Sequence, residues 1–214
     1  MPRFVVIGLG IFGYNVVKRL FEAGMDVIAI DKNKDSVQQV RDCSSKAIVA
    51  DGMDKSVMDS IGIQEDDVVI LSFGEDLAAS TLITLHLKNL NIRNIIVKAP
   101  NEEHKLVLEK IGATEVIIPE KEMANKVARS FISPNLIDYI PISEDYIICE
   151  IAPPQQFIGK SLSEVHMRSK HHVDVIAIRD TLTDKIHMVQ PDYLMKDSDI
   201  LAVIGKSDDI DKLK

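Results

Sequence analysis

The sequence predicts a doubly wound parallel α/β sheet over residues 1–135, followed by a small C-terminal α+β domain over residues 136–214. Three observations predict it. Short β-branched runs alternate with helical stretches as far as about residue 120, a glycine-rich turn joins the first run to the first helix, and closely spaced alternating runs take over after Pro134 and Pro141.

The first run is FVVI at residues 4–7, followed by the turn Gly8-Leu9-Gly10-Ile11-Phe12-Gly13 and a helical pattern to about Ala23. The second run, VIAI, ends at Asp31. Further strands are predicted at Ala47–Ala50, Val68–Ser72, Ile95–Lys98 and Val116–Ile118, with helices near Lys34–Arg41, Lys55–Ile61, Leu77–Leu90 and Glu102–Ile111. Six strands joined by right-handed crossovers give the order 3-2-1-4-5-6, with helices on both faces. Glu120–Ser133 reads as a helix stopped by Pro134, and Pro141 marks a linker or crossover. Beyond it, Tyr146–Ile151, Val173–Ile178, Lys185–Val189 and Ile200–Ile204 read as strands and Leu162–Met167 as a short helix. This second part, at roughly 75 residues, is small for a substrate domain.

The 214 residues are 46% hydrophobic and 27% charged, an ordinary soluble composition, with a net charge of −8. That charge argues against a nucleic-acid partner, which needs a basic face. No apolar run approaches the ~20 residues that span a bilayer, and no signal peptide is evident, so the expectation is a cytoplasmic protein with no direct membrane insertion. Cys43 and Cys149 stand apart without metal-ligand spacing and fit reduced thiols.

The turn has the glycine spacing of a Rossmann-type dinucleotide fingerprint in full strand-turn-helix context. Gly8 permits the tight turn, Gly10 lets a pyrophosphate approach the helix N-terminus, and Gly13 lets helix and strand pack closely. Asp31, at the tip of the second strand, is placed to accept hydrogen bonds from ribose hydroxyls and to repel a 2′-phosphate, an argument that Lys32 beside it softens. In an open parallel sheet ligands sit beyond the carboxyl ends of the strands, and that edge also carries Asp51, Ser72, Lys98 and Glu120. Asp51 could accept from an adenine amino group or cap the next helix, a task Asp54 could take instead. Lys98 could neutralise phosphate. Glu120 would face the same phosphates, which makes sense if a cation or a second subunit's basic group is shared there. The candidate set is Gly8, Gly10, Ile11, Phe12, Gly13, Asp31, Lys32, Asp51, Ser72, Lys98 and Glu120, with Glu120 also the candidate metal ligand.

No residues assemble into a reaction centre. Tyr14-x-x-x-Lys18 has the spacing of short-chain dehydrogenases, but it lies on the helix that opens at the glycine turn, away from a nicotinamide. His166, His171 and His172 cluster without matching carboxylates or thiols and read as surface histidines; His86 and His104 fall on amphipathic helices and read as solvated or capping. An NAD(P)-dependent oxidoreductase with a site formed between subunits is the alternative reading.

Several longer segments resemble the RCK (KTN) regulatory subunits of bacterial potassium uptake, of the KtrA/TrkA type. They are the GLGxFG turn with Asp31, Ala-Asp-Gly-Met-Asp at 50–54, Ala79-Ser80-Thr81, Val97-Lys98-Ala99, VLEKIGA at 107–113 and PEKxM at 119–123. The resemblance implies a nucleotide-sensing homo-oligomer, usually an octameric ring, docked on a membrane potassium-translocating subunit at the inner face of the membrane. ATP, ADP or NAD(H) in the cleft would change the ring's shape and so act on the gate. It implies an acid at Glu120 that can bind a cation near the dimer interface, and cyclic di-AMP in the C-terminal domain near Leu162–Lys170 and Arg168. Such turns commonly carry arginine where this chain has Ile11, so contacts to a γ-phosphate are not implied and NAD(H), ADP or AMP gain.

Overall fold

The computed structural model describes residues 2–73, 76–132, 135–143 and 145–213. The chain divides into two units, Met1–Glu122 and Met123–Lys214.

In the first unit β1 (Phe4–Ile7), α1 (Ile11–Glu22), β2 (Val27–Asp31), α2 (Lys34–Gln39), β3 (Lys46–Val49), α3 (Lys55–Ile61), β4 (Val68–Leu71), α4 (Leu77–Asn89), β5 (Asn94–Lys98), α5 (Glu102–Ile111) and β6 (Glu115–Ile117) follow one another. The strands form one parallel sheet in the order β3-β2-β1-β4-β5-β6, as the alternation requires. Because helices cover both faces, the strands are apolar at consecutive positions. Val5 and Ile7 join Ile28, Ile30, Val69 and Leu71 in the core of one face, while Val6 joins Ala29, Ile70 and Val17 of α1 on the other.

In the first unit, side chains fix the starts of α2, α3, α4 and α5. Asn33, Asp54, Asp76 and Asn101 each accept a first-turn N–H, at α2, α3, α4 and α5 respectively. Asp54 thus takes the capping task that was an alternative for Asp51. Helix α1 differs: its cap is Gly10, with no side-chain cap bond.

Helix α6 (Pro119–Ile132) runs across the division between the units. The expected stop at Ser133 and Pro134 lies outside the described residues. The second unit adds β7 (Leu136–Pro141), β8 (Tyr146–Ile151), α7 (Leu162–Val165), α8 (Met167–His171), β9 (Val173–Asp180), β10 (Lys185–Met188), β11 (Asp199–Lys206) and α9 (Ser207–Ile210). Its five strands form an antiparallel sheet in the order β10-β9-β11-β8-β7.

Two expectations change here. The linker around Pro141 is strand β7, with Pro141 opposite Ile147; β7 is an edge strand, where a residue without an N–H costs no ladder bond on the open side. The single helix at Leu162–Met167 is two short ones, because His166 adopts φ 55° and ends α7 before α8 begins.

Candidate functional site

The glycine turn leaves the carboxyl end of β1, the point where the sheet order reverses between β1 and β4. Gly8 has φ +95°, and a Cβ there would lie 2.8 Å from the Ser72 carbonyl oxygen. A Cβ on Gly13 would lie 2.0 Å from the Gly8 carbonyl oxygen. Both glycines are therefore demanded by the fold itself. Gly10 is not: its φ is −66°, open to any residue, and a Cβ there would meet nothing within 4 Å.

A cavity of about 230 Å³ opens beside this turn. It brings together Gly8, Gly10, Asp31, Lys32, Asp51 and Ser72 from the expected set. Ser72 is buried and donates its N–H to the Ile7 carbonyl at 2.8 Å, locking β4 to β1 at the cleft floor. Asp31 accepts the Leu9 N–H at 2.6 Å on Oδ2 and the Asn33 N–H at 2.8 Å on Oδ1. Each oxygen keeps a lone pair for a ligand hydroxyl. Asp51 accepts the Met53 N–H at 2.9 Å, which shapes the turn after β3.

The other expected residues stand elsewhere. Ile11 opens α1 with its side chain 89% exposed, whereas Phe12 packs among the core residues of the α1 face. Gly13 serves the close contact with the turn. Lys98, at the end of β5, forms an ion pair with Glu120 in the first turn of α6. The Lys98 ammonium holds the Glu120 carboxyl below the usual range. The acid that looked misplaced among phosphates thus has a partner in its own chain. Among the described residues no three His, Cys, Asp or Glu side chains are grouped to hold a metal ion, Glu120 included.

Sequence reasoning missed Gly52, Phe73 and Asp76 in the cavity lining. Gly52 could have been found from its neighbour Asp51: a Cβ there would lie 2.5 Å from Ile7 Cγ2. Asp76 was legible only as a helix cap, which it also is, accepting the Ala79 N–H at 2.9 Å.

Tyr14 packs against the α1-face core and Lys18 is exposed, so neither lines the cavity. His104 is buried, its Nε2 3.3 Å from Thr81 Oγ1 and 3.5 Å from Ser80 Oγ, and is not solvated as expected. His171 stacks on Phe157, ring centroids 5.3 Å apart.

In the second unit a cavity of about 540 Å³ is lined by Leu162, Met167, Arg168, Asp174 and Val189 among others. Arg168 is ion-paired there with Asp174.

A glycine turn at the switch point of a six-stranded parallel sheet and an acid at the end of β2 define a nucleotide-binding type of Rossmann fold, here followed by an antiparallel domain. The comparisons agree. Residues 4–119 match the TrkA-N domain and residues 147–214 the TrkA-C domain. The chain is 37% identical over 214 residues to Ktr system potassium uptake protein C of Bacillus subtilis, covering 99% of this chain and 96% of that one. It is 36% identical over 212 residues to protein A of the same system and organism, covering 99% and 95%. The chain belongs to the KtrA/TrkA family of potassium uptake proteins, the RCK regulatory type. Among solved structures, the GsuK channel bound to NAD shares the fold at a TM-score of 0.63 and 14% identity, covering 98% of this chain and 38% of the channel chain. No helix among the described residues is long and apolar enough to cross a membrane.

Proposed function

We propose that the chain is a cytoplasmic regulatory subunit that binds an adenine nucleotide, NAD(H), ADP or ATP, in the cleft beside Gly10 and passes its occupancy to a membrane potassium-translocating subunit. The observation that carries this reading is Gly10 itself. Gly8 and Gly13 answer to their own chain, but nothing in the fold forbids a side chain at Gly10. Its bareness fits a ligand phosphate lying against the uncapped N-terminus of α1, where free N–H groups and the helix dipole favour negative charge. The likeness in fold to a channel bound to NAD, and the potassium-uptake relatives, support the same reading.

The transporter would be reached through a homo-oligomeric ring, an octamer in the family's usual form. Met123, Val127 and Phe131, at four-residue spacing along α6 and 59%, 50% and 81% exposed, support contact with a second copy. Nucleotides act on such a ring by their differential affinity for its states, about 1.4 kcal/mol for a tenfold shift. A cation at Glu120 would compete with Lys98 and draw further ligands from nucleotide phosphates or a second copy. Cyclic di-AMP would take the Arg168 cavity, where Asp174 opposes its phosphates.

The test is potassium uptake in uptake-deficient cells that produce the membrane subunit from the same organism. The wild-type chain is expected to support growth at low potassium, and Gly10→Val, if folded, is expected not to. Growth that is independent of the chain, or undiminished with Gly10→Val, would overturn the proposal.

A further inference from the structure

We infer that His104 is a positioning residue for the nucleotide cleft: it holds the first turn of α4, one side of which lines that cleft, and so makes nucleotide occupancy fall in mild acid. The inference rests on the nucleotide reading above and adds a regulation to that site.

Helix α4 starts with the cleft on one side and His104 on the other. Asp76, its cap, and Ala79, in its first turn, line the cavity. The next two residues, Ser80 and Thr81, meet the imidazole of His104, with Nε2 3.5 Å from Ser80 Oγ and 3.3 Å from Thr81 Oγ1. Short bonds join the two sides. Asp76 accepts the Ala79 N–H at 2.9 Å on its side chain and the Ser80 N–H at 3.1 Å on its carbonyl, while the Ser80 hydroxyl donates to the Leu77 carbonyl at 3.1 Å. His104 is itself anchored, donating its backbone N–H to the Asn101 side chain at 2.9 Å. The ring thus ties the start of α5 to the start of α4.

This place suits the ring only when it is neutral. Ser80 gives its hydrogen to Leu77, so its oxygen is left to accept and the imidazole proton belongs on Nε2. Nδ1 is buried with no hydrogen-bond partner. A bare lone pair is tolerable there, but a second proton would make Nδ1 a buried donor without an acceptor, in a residue only 7% exposed. Nearby charges do not rescue the cation. Glu103 and Lys105 flank His104 on α5, Asp76 caps α4 and His86 and Lys88 stand in its last turn, and Lys98 of β5 and Lys121 of α6 are paired with Glu120 and Glu102. Among the described residues none of these charges enters the balance on His104, in which burial lowers the pKa and a hydrogen bond with the Leu77 backbone raises it. Protonation therefore drives the ring towards water and frees the turn that carries Asp76 and Ala79. A ligand that needs this turn in place must in return hold His104 neutral to lower pH, because the coupling is reciprocal.

The experiment is titration of full-length wild type and His104→Gln with NAD+ and with ADP, from pH 8 downward over the range in which melting curves show both folded. The Gln side chain keeps a donor for the two hydroxyls but takes up no proton. The ADP phosphate itself titrates in this range, and that effect cancels between the two proteins. The ratio of wild-type to variant affinity is expected to be level above about pH 6.5 and to fall below it, by at most about tenfold per pH unit. NMR of the wild-type His104 imidazole is expected to show its titration moved to lower pH by saturating nucleotide, a readout that needs no variant. A ratio that stays level, or a ring that titrates alike with and without nucleotide, would overturn the inference and leave the nucleotide reading standing. If neither nucleotide binds at pH 8, the nucleotide reading fails and takes this inference with it.

Discussion

The Leu9 backbone N–H donates to Asp31 Oδ2 at 2.6 Å, fastening the glycine turn after β1 to the tip of β2. The acid that marks the ribose side of the cleft is thus also a structural tie, and its second oxygen holds Asn33. Asp31→Ala removes the acceptor of both amides and is expected to cost about 1–3 kcal/mol of stability even without ligand. Asp31→Asn keeps one carbonyl oxygen and should cost less. Urea unfolding of both variants checks this, and equal stability of Asp31→Ala and wild type would show the tie to be idle.

The glycines of the turn are predicted to separate. Gly13→Ala places a Cβ 2.0 Å from the Gly8 carbonyl oxygen and is expected to destabilise the first domain by several kcal/mol, about 3 or more, or to prevent folding. Gly10→Ala finds open space and should change stability by less than about 1 kcal/mol. Denaturant midpoints for the pair read the difference directly.

This separation shows how far the sequence was legible. The order of the parallel sheet followed from strand-helix alternation and crossover handedness, and the helices from their periodicity, whereas of the caps only Asp54 was weighed in the sequence, as the alternative to Asp51. The fingerprint gave its glycines separate roles, Gly8 for the turn, Gly10 for an approaching pyrophosphate and Gly13 for helix–strand packing, but only the packing tells which positions leave no room for a Cβ: Gly8 and Gly13, and not Gly10. Pro141 misled for a related reason: proline forbids a central strand but not an edge strand, and edge position is a property of the assembled sheet. Glu120 looked anomalous because its partner Lys98 lies 22 positions away and meets it only when β5 and α6 are in place. His166 gave no signal as a helix break, since a histidine at φ 55° is a local choice made by the surrounding turn.

Stability should fall in mild acid through His104. Burial pushes its pKa below the ordinary histidine value, opposed in part by a hydrogen bond with the Leu77 backbone. The unfolded chain therefore takes up the proton first. The contribution is complete above the unfolded value near 6.5 and is lost as pH falls below it, by at most about 1.4 kcal/mol per pH unit. His104→Gln is expected to flatten the stability curve below about pH 6.5 relative to wild type. Parallel curves for the two proteins would contradict the assignment.

Cys149 is buried in the second domain, and burial pushes its thiol up to about 11. At pH 8 it should resist iodoacetamide in the native protein and react on unfolding. Half-buried Cys43 is also raised by burial, but is more accessible and should react first. Mass spectrometry of native and urea-treated samples reads both. Rapid native labelling of Cys149 would show that the β8 core opens.

The central claim, that Gly10 is bare for a ligand's sake, is tested most directly by equilibrium dialysis of purified wild type and Gly10→Val against labelled NAD and ADP, with melting temperatures measured in parallel. The account predicts saturable nucleotide binding to wild type and its loss in Gly10→Val, with the ligand-free melting temperature of the variant nearly unchanged. Undiminished binding by Gly10→Val, or no binding by wild type, would contradict it.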